Sequence, residues 1–146
     1  MILRREVTAD VAPRKAFAYL SDFTTTTEWD PGTVETVRTT GDGGVGTLYR
    51  NRSRFGGRET EVMYEVIERR DPEMIRFRGE NSAIVAIDTI TVEPSGRGSR
   101  VVYEANFTFK GFRKVFRPFL GGAFRKLGDE AEAGLRETLG RLGSSG

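Results

Sequence analysis

The sequence predicts an α+β protein, with about seven antiparallel strands packed on one long C-terminal helix. Two short helices follow the first strand. Three observations predict this. Strand-like runs separated by strong turn chemistry recur along most of the chain, from Ile2 to Phe109. A helix-length apolar stripe begins only at Val115. Between the first two strands lies a short amphipathic segment that reads as two short helices.

Ile2 to Ala9 reads as the first strand. Pro13 suits the first turn of a helix that carries Phe17, Tyr19 and Leu20, and Asp22 can cap a second short helix. Trp29 stands beside a carboxylate and a Pro-Gly turn that stops this helix and starts a strand. Six more strands follow: Thr33 to Thr39, Gly46 to Phe55, Arg58 to Glu68, Met74 to Arg78, Ala83 to Glu93 and Arg100 to Phe109. Gly41-Asp42-Gly43-Gly44, Gly56-Gly57, Asp71-Pro72, Gly79-Glu80-Asn81-Ser82 and Ser95-Gly96-Arg97-Gly98 separate them. Without a helix-length insert, such a series folds as an antiparallel meander.

From Val115 the period becomes helical, with Phe116, Leu120, Phe124, Leu127, Ala131 and Leu135 on one stripe and charged residues between them. Gly121, Gly122, Gly128, Gly134 and Gly140 interrupt this helix, so its stability rests on packing rather than propensity. Either the glycines admit close contact or they let the helix shift. The tail 143–146 is a breaker expected to fray.

The length of 146 residues fits one domain, 1–146, with a real core. A hydrophobic fraction of 37% with 30% charged residues is a globular composition. No apolar run approaches a membrane span and the N-terminus has no apolar signal core, so the expected setting is the cytoplasm. Cysteine and histidine are both absent. Their absence removes disulfides, thiolate nucleophiles, zinc-thiolate sites and the usual neutral-pH base. No metal and no cofactor is expected.

The net charge of +2 hides 23 basic and 21 acidic residues. A pI near 9.1 invites a nucleic-acid reading. However, Arg50, Arg52 and Arg54 alternate along one strand face, and a hairpin at Gly56-Gly57 sets Arg54 opposite Glu59 and Arg52 opposite Glu61. An ion-pair ladder without interleaved aromatics leaves no platform for bases, so no nucleic-acid partner is expected.

The segment Phe17-Ala18-Tyr19-Leu20-Ser21-Asp22-Phe23, the threonine run after it and Glu28-Trp29-Asp30-Pro31-Gly32 resemble the N-terminal motif of the polyketide cyclase/dehydrase and lipid-transport family, within the START-like (SRPBCC) superfamily. Gly44-Val45-Gly46-Thr47, Phe107-Thr108-Phe109-Lys110-Gly111 and Phe116-Arg117-Pro118-Phe119-Leu120 extend the resemblance over nearly the whole chain. It implies a helix-grip fold, in which a curved sheet wraps round the long C-terminal helix and leaves room for an apolar ligand. Architecture alone does not specify function.

Strand parity nominates the lining of such a cavity. Tyr49, Asn51 and Ser53 share a face with Thr60, Val62 and Tyr64, opposite the arginine row. Ile84, Ala86, Asp88, Ile90 and Val92 form one face of the sixth strand, and Tyr103, Ala105, Phe107 and Phe109 face them from the seventh. The helix adds Leu120 and Phe124. The candidate ligand-binding residues are Trp29, Tyr49, Asn51, Tyr64, Asp88, Ile90, Tyr103, Phe107, Leu120 and Phe124. A solid core is the plainer alternative, with Trp29 as a plug.

Asp88 is the most informative of these. A carboxylate among isoleucines and valine needs a partner or a proton, and Tyr103, Tyr64 or an arginine could supply one. It serves either structure alone, or as a polar anchor or a weak base of raised pKa. The leading functional expectation is binding, with transport as an extension, of a small hydrophobic or amphipathic ligand such as a lipid, polyketide or aromatic compound. The alternative is a polyketide cyclase or dehydratase whose acid and base come from Asp88, Asp30 and the tyrosines; no catalytic residue is assigned. A groove for a partner peptide is a third reading. The oligomeric state stays open.

Overall fold

The computed structural model describes residues 1–55, 57–111 and 121–144. The elements run β1 (Ile2–Ala9), α1 (Pro13–Leu20), a 3-10 turn (Phe23–Thr25), α2 (Thr26–Trp29), β2 (Thr33–Thr40), β3 (Leu48–Phe55), β4 (Arg58–Arg70), β5 (Met74–Glu80), β6 (Ile84–Ser95), β7 (Gly98–Phe109) and α3 (Gly121–Ser144). The expected helical start at Val115, with Phe116 and Leu120, lies outside the described residues, as do Gly56 of the hairpin turn and the last two residues of the tail.

All seven strands form one antiparallel sheet in the order β1-β7-β6-β5-β4-β3-β2. The meander from β2 to β7 is therefore as the turn chemistry predicts, and β1 closes on β7. The chain between β1 and β2 must cross from one sheet edge to the other, and α1, the 3-10 turn and α2 make that crossing. Register shifts between Thr33 and Glu35, Arg38 and Thr40, and Val66 and Glu68 mark bulges, which bend strands and increase twist.

Local chemistry explains the short elements. Pro13 stands in the first turn of α1, where its missing N–H costs nothing. Asp22 caps the 3-10 turn rather than α2 itself: its Oδ1 accepts from the Thr24 amide at 3.0 Å and the Thr24 hydroxyl at 2.7 Å. The 3-10 turn leads directly into α2, so one cap starts both.

Strand alternation separates the two sheet faces. Tyr49, Asn51, Val62 and Tyr64 are buried, while Arg50, Arg52, Arg54 and Glu61 are exposed. The β3–β4 register pairs Arg52 with Glu61 and Arg54 with Glu59, as parity predicts. The ion pairs differ slightly from the ladder expected. Both guanidinium groups reach Glu59, at 3.5 Å from Arg52 and 3.6 Å from Arg54. The diagonal neighbour lies within reach of a long side chain on a twisted pair. Gly79 and Glu80, expected in a turn, belong to β5.

Helix α3 packs on β1 and α2. Arg5 of β1 reaches Asp129 at 3.1 Å and the Arg125 carbonyl at 3.4 Å. Lys15 of α1 donates to the Leu142 carbonyl at 2.9 Å, near the C-terminal end of the helix where a cation is favoured. The closest approach is at Gly134, where a Cβ would stand 1.8 Å from the Trp29 carbonyl oxygen. Close contact, not mobility, accounts for this glycine.

Candidate functional site

A cavity of about 650 Å³ lies between the inner sheet face and the helices. Its walls come from distant elements. Trp29 and Phe23 enter from the crossing segment, Tyr64 from β4, Tyr103 and Phe107 from β7, and Phe124 and Leu127 from α3. Tyr103 and Phe107 stay partly accessible although they point inward, because the surface they keep faces this space. The Phe124 ring meets Phe107 at 4.9 Å and Phe109 at 5.7 Å, tying the helix to β7.

Phe23 closes the inner end. Its ring lies 4.2 Å from Phe77, 4.8 Å from Tyr64 and 5.8 Å from Tyr49, between centroids. This plug explains why Tyr49 falls outside the cavity lining, as Ile90 also does. Both sit on the expected face, 1% exposed, but in packed core. Trp29, Asn51, Tyr64, Asp88, Tyr103, Phe107 and Phe124 do line the cavity. Leu120 lies outside the described residues. Trp29 is 1% exposed, donates its indole N–H to Thr25 Oγ1 at 3.3 Å, and meets the Tyr103 ring edge-on at 5.5 Å.

Polar groups are interspersed along the walls, and most of them are paired. On the β2–β3 side, Asn51 donates to Thr36 Oγ1 at 2.9 Å and accepts from Ser53 at 2.7 Å, while the Thr26 and Thr36 hydroxyls meet at 2.7 Å. Asn81 accepts from the Ala83 and Ile84 amides, so its side chain holds the start of β6. Phe23, Thr26, Thr33 and Asn81 join the lining without having been expected there. They come from turns and strand ends, where face parity carries no information. Arg54 and Arg58 border the space from the exposed β3–β4 hairpin.

Asp88 is 4% exposed. Its Oδ2 accepts from the Tyr103 hydroxyl at 3.1 Å, one of the partners the sequence nominates. Its Oδ1 is buried with no hydrogen-bond partner among the described residues. Burial pushes the carboxyl from 3.8 up to about 7, the Tyr103 hydrogen bond opposes that rise, and the charge of Asp30 adds to it. Asp30 is also raised by burial, although the Gly32 amide at 3.0 Å and the Thr33 hydroxyl at 3.1 Å hold its oxygens. Burial and the Asp88 charge hold the hydroxyls of Tyr64 and Tyr103 well above the ordinary tyrosine range, so both stay protonated donors.

The arrangement can enclose an apolar molecule, offer it one buried acceptor and, near neutral pH, exchange a proton with it. A curved sheet wrapped round a C-terminal helix, with a cavity between them, defines a helix-grip protein. The chain belongs to the family described as polyketide cyclase / dehydrase and lipid transport, which it matches over residues 2–142.

No curated protein matches the chain with significance. Among solved structures, it is similar to TTHA0849 from Thermus thermophilus, at 18% identity and a TM-score of 0.82, over 100% of both chains. It is similar to the Zhui aromatase/cyclase from Streptomyces sp. R1128, at 10% identity and a TM-score of 0.78, over 95% of this chain and 93% of that one. One half of the di-domain ARO/CYC BexL, from the BE-7585A biosynthetic pathway, also superimposes, with 10% identity and a TM-score of 0.72 over 94% of this chain and 49% of that one. At these identities the likeness establishes the fold. Among the described residues, no helix is long and apolar enough to cross a membrane.

Proposed function

We propose that this protein binds a small hydrophobic or amphipathic molecule, such as a lipid, polyketide or aromatic compound, in the cavity between sheet and α3. The observation that carries the reading is the cavity itself. Its volume of about 650 Å³ falls among ligand pockets of roughly 300–1,000 Å³, and its walls combine aromatic side chains with a set of polar groups. Membership of a lipid-transport and cyclase family supports the same reading. Trp29, Asn51, Tyr64, Asp88, Tyr103, Phe107 and Phe124 are the ligand-binding residues of this proposal. A cytoplasmic setting and the absence of a nucleic-acid partner belong to it; the ion pairing of Arg52 and Arg54 with Glu59 supports the latter.

A second reading has one observation in its favour. Asp88, held near neutrality inside the cavity, has the pKa of a general base matched to neutral pH. A cyclase or dehydratase could use it on a polyketide-like chain folded in the same space, where confinement itself accelerates ring closure. Native mass spectrometry of the purified protein, followed by solvent extraction, tests the proposal. A retained small molecule is expected, and incubation with it separates the readings, since a carrier returns it unchanged and an enzyme does not. Failure to retain any molecule, or to take up any of a panel of apolar probes, would contradict both.

A further inference from the structure

We propose that Asp88 and Tyr64 together seat a hydroxyl group of the ligand, so that the cavity selects an apolar molecule bearing an alcohol or phenol at its buried end. The inference rests on the cavity-binding reading above and names the chemistry of its ligand.

Asp88 supplies an acceptor that the protein leaves unused. Tyr103 has a single proton, and it is committed to Oδ2. Oδ1 remains buried and without a hydrogen-bond partner among the described residues, on a residue that lines the cavity. An orphaned buried acceptor carries a standing desolvation penalty, which a donor on the ligand removes. The apolar lining around it makes that hydrogen bond stronger than it would be in water.

Tyr64 supplies the complementary donor. It is 8% exposed, lines the cavity, and its hydroxyl has no hydrogen bond among the described residues. Its direction follows from Gly79. A Cβ on that glycine would lie 2.5 Å from Tyr64 Cε1 and 2.7 Å from Cζ, so the hydroxyl end of the ring extends over β5 towards β6. On β6, Gly79 pairs with Ala86, and Asp88 is the next residue on the same inner face. The absence of a side chain at Gly79 gives the ring its place.

A hydroxyl needs one acceptor and offers one acceptor in return, which is what these two side chains provide. Other ligand groups fit less well. An ammonium brings three donors to a single free oxygen. A carboxylate would face the charges of both Asp88 and Asp30. An ether has no proton for Oδ1.

The test is isothermal titration of the full chain at pH 8 with 2-naphthol and 2-methoxynaphthalene, which share an aromatic body and differ in donating a proton. The wild-type protein should bind the naphthol about tenfold more tightly, as expected for a hydrogen bond to a charged group. Asp88→Leu should abolish that preference and keep affinity for the ether. Tyr64→Phe should reduce the preference to a few-fold, while Tyr103→Phe should retain it. Should Asp88→Leu not fold, Asp88→Asn keeps the shape and should cut the preference at least threefold. Equal affinity of the two probes for the wild type, or a preference that survives at position 88, overturns the hydroxyl seat and leaves cavity binding standing. Binding of neither probe contradicts the cavity reading and the seat together.

Discussion

The ring of Tyr64 lies across Gly79, the residue paired with it on the neighbouring strand. A side chain at 79 would stand inside van der Waals contact of Cε1, Cζ and Cδ1, none of which is a flexible chain end. Gly79 is therefore a platform for the ring rather than a turn residue.

Gly79→Ala should consequently destabilise the protein by about 1–3 kcal/mol, the usual cost of overpacking a core. In urea denaturation, the loss should shrink markedly when Tyr64→Val is made in the same chain, because the two positions interact directly. Additive effects in that double-mutant cycle would show that the ring does not need the glycine.

Asp88 makes stability depend on pH with a definite sign. With its carboxyl at about 7 in the folded protein against 3.8 ordinarily, the native state holds a proton that the unfolded chain releases between those values. The stability it contributes is complete below about pH 4, declines as pH rises, and is lost above about pH 7. At roughly 1.4 kcal/mol per pKa unit, the full span is of the order of 4 kcal/mol. Asp88→Asn removes this titration. The wild-type minus variant difference in unfolding free energy should fall from pH 4 to pH 8, and parallel curves would contradict a buried, partly unpartnered carboxyl.

Gly134 and Gly140 offer a matched pair on one helix. At Gly134 a Cβ would collide with the Trp29 carbonyl at 1.8 Å, whereas at Gly140 nothing lies within 4 Å. Gly134→Ala should cost about 1–3 kcal/mol by forcing α3 away from α2. Gly140→Ala should stabilise by about 0.5–1 kcal/mol through helix propensity alone. Thermal unfolding of both variants checks this, and shifts of the same sign would refute the close contact.

Much of the site was legible in the sequence because a strand has a period of two. Parity alone put Asn51, Tyr64, Asp88, Tyr103 and Phe107 on the inner face, and the Asp88–Tyr103 hydrogen bond follows from that placement. Parity assigns a face but not a depth along it, so Tyr49 and Ile90 were nominated with the rest and lie in packed core, Tyr49 against the Phe23 ring. Phe23 itself comes from a three-residue turn, too short to carry any period. Gly79 was misread because a glycine before Glu-Asn-Ser looks like turn chemistry, and only the ring on the facing strand explains its place in β5. Contacts between elements, such as Gly134 against Trp29, have no local signature at all.

Uptake of an apolar ligand into the space between sheet and α3 can be followed residue by residue. Heteronuclear NMR on the uniformly labelled protein does so, by titration with 2-naphthol. The Trp29 indole signal and the amides of Val62, Ile84 and Phe107, which line the cavity, should shift together and saturate. The amides of Arg50, Met63 and Arg78, whose side chains face outward, should stay close to their starting positions. Shifts confined to the outer face, or no saturable change at the cavity residues, would contradict such uptake.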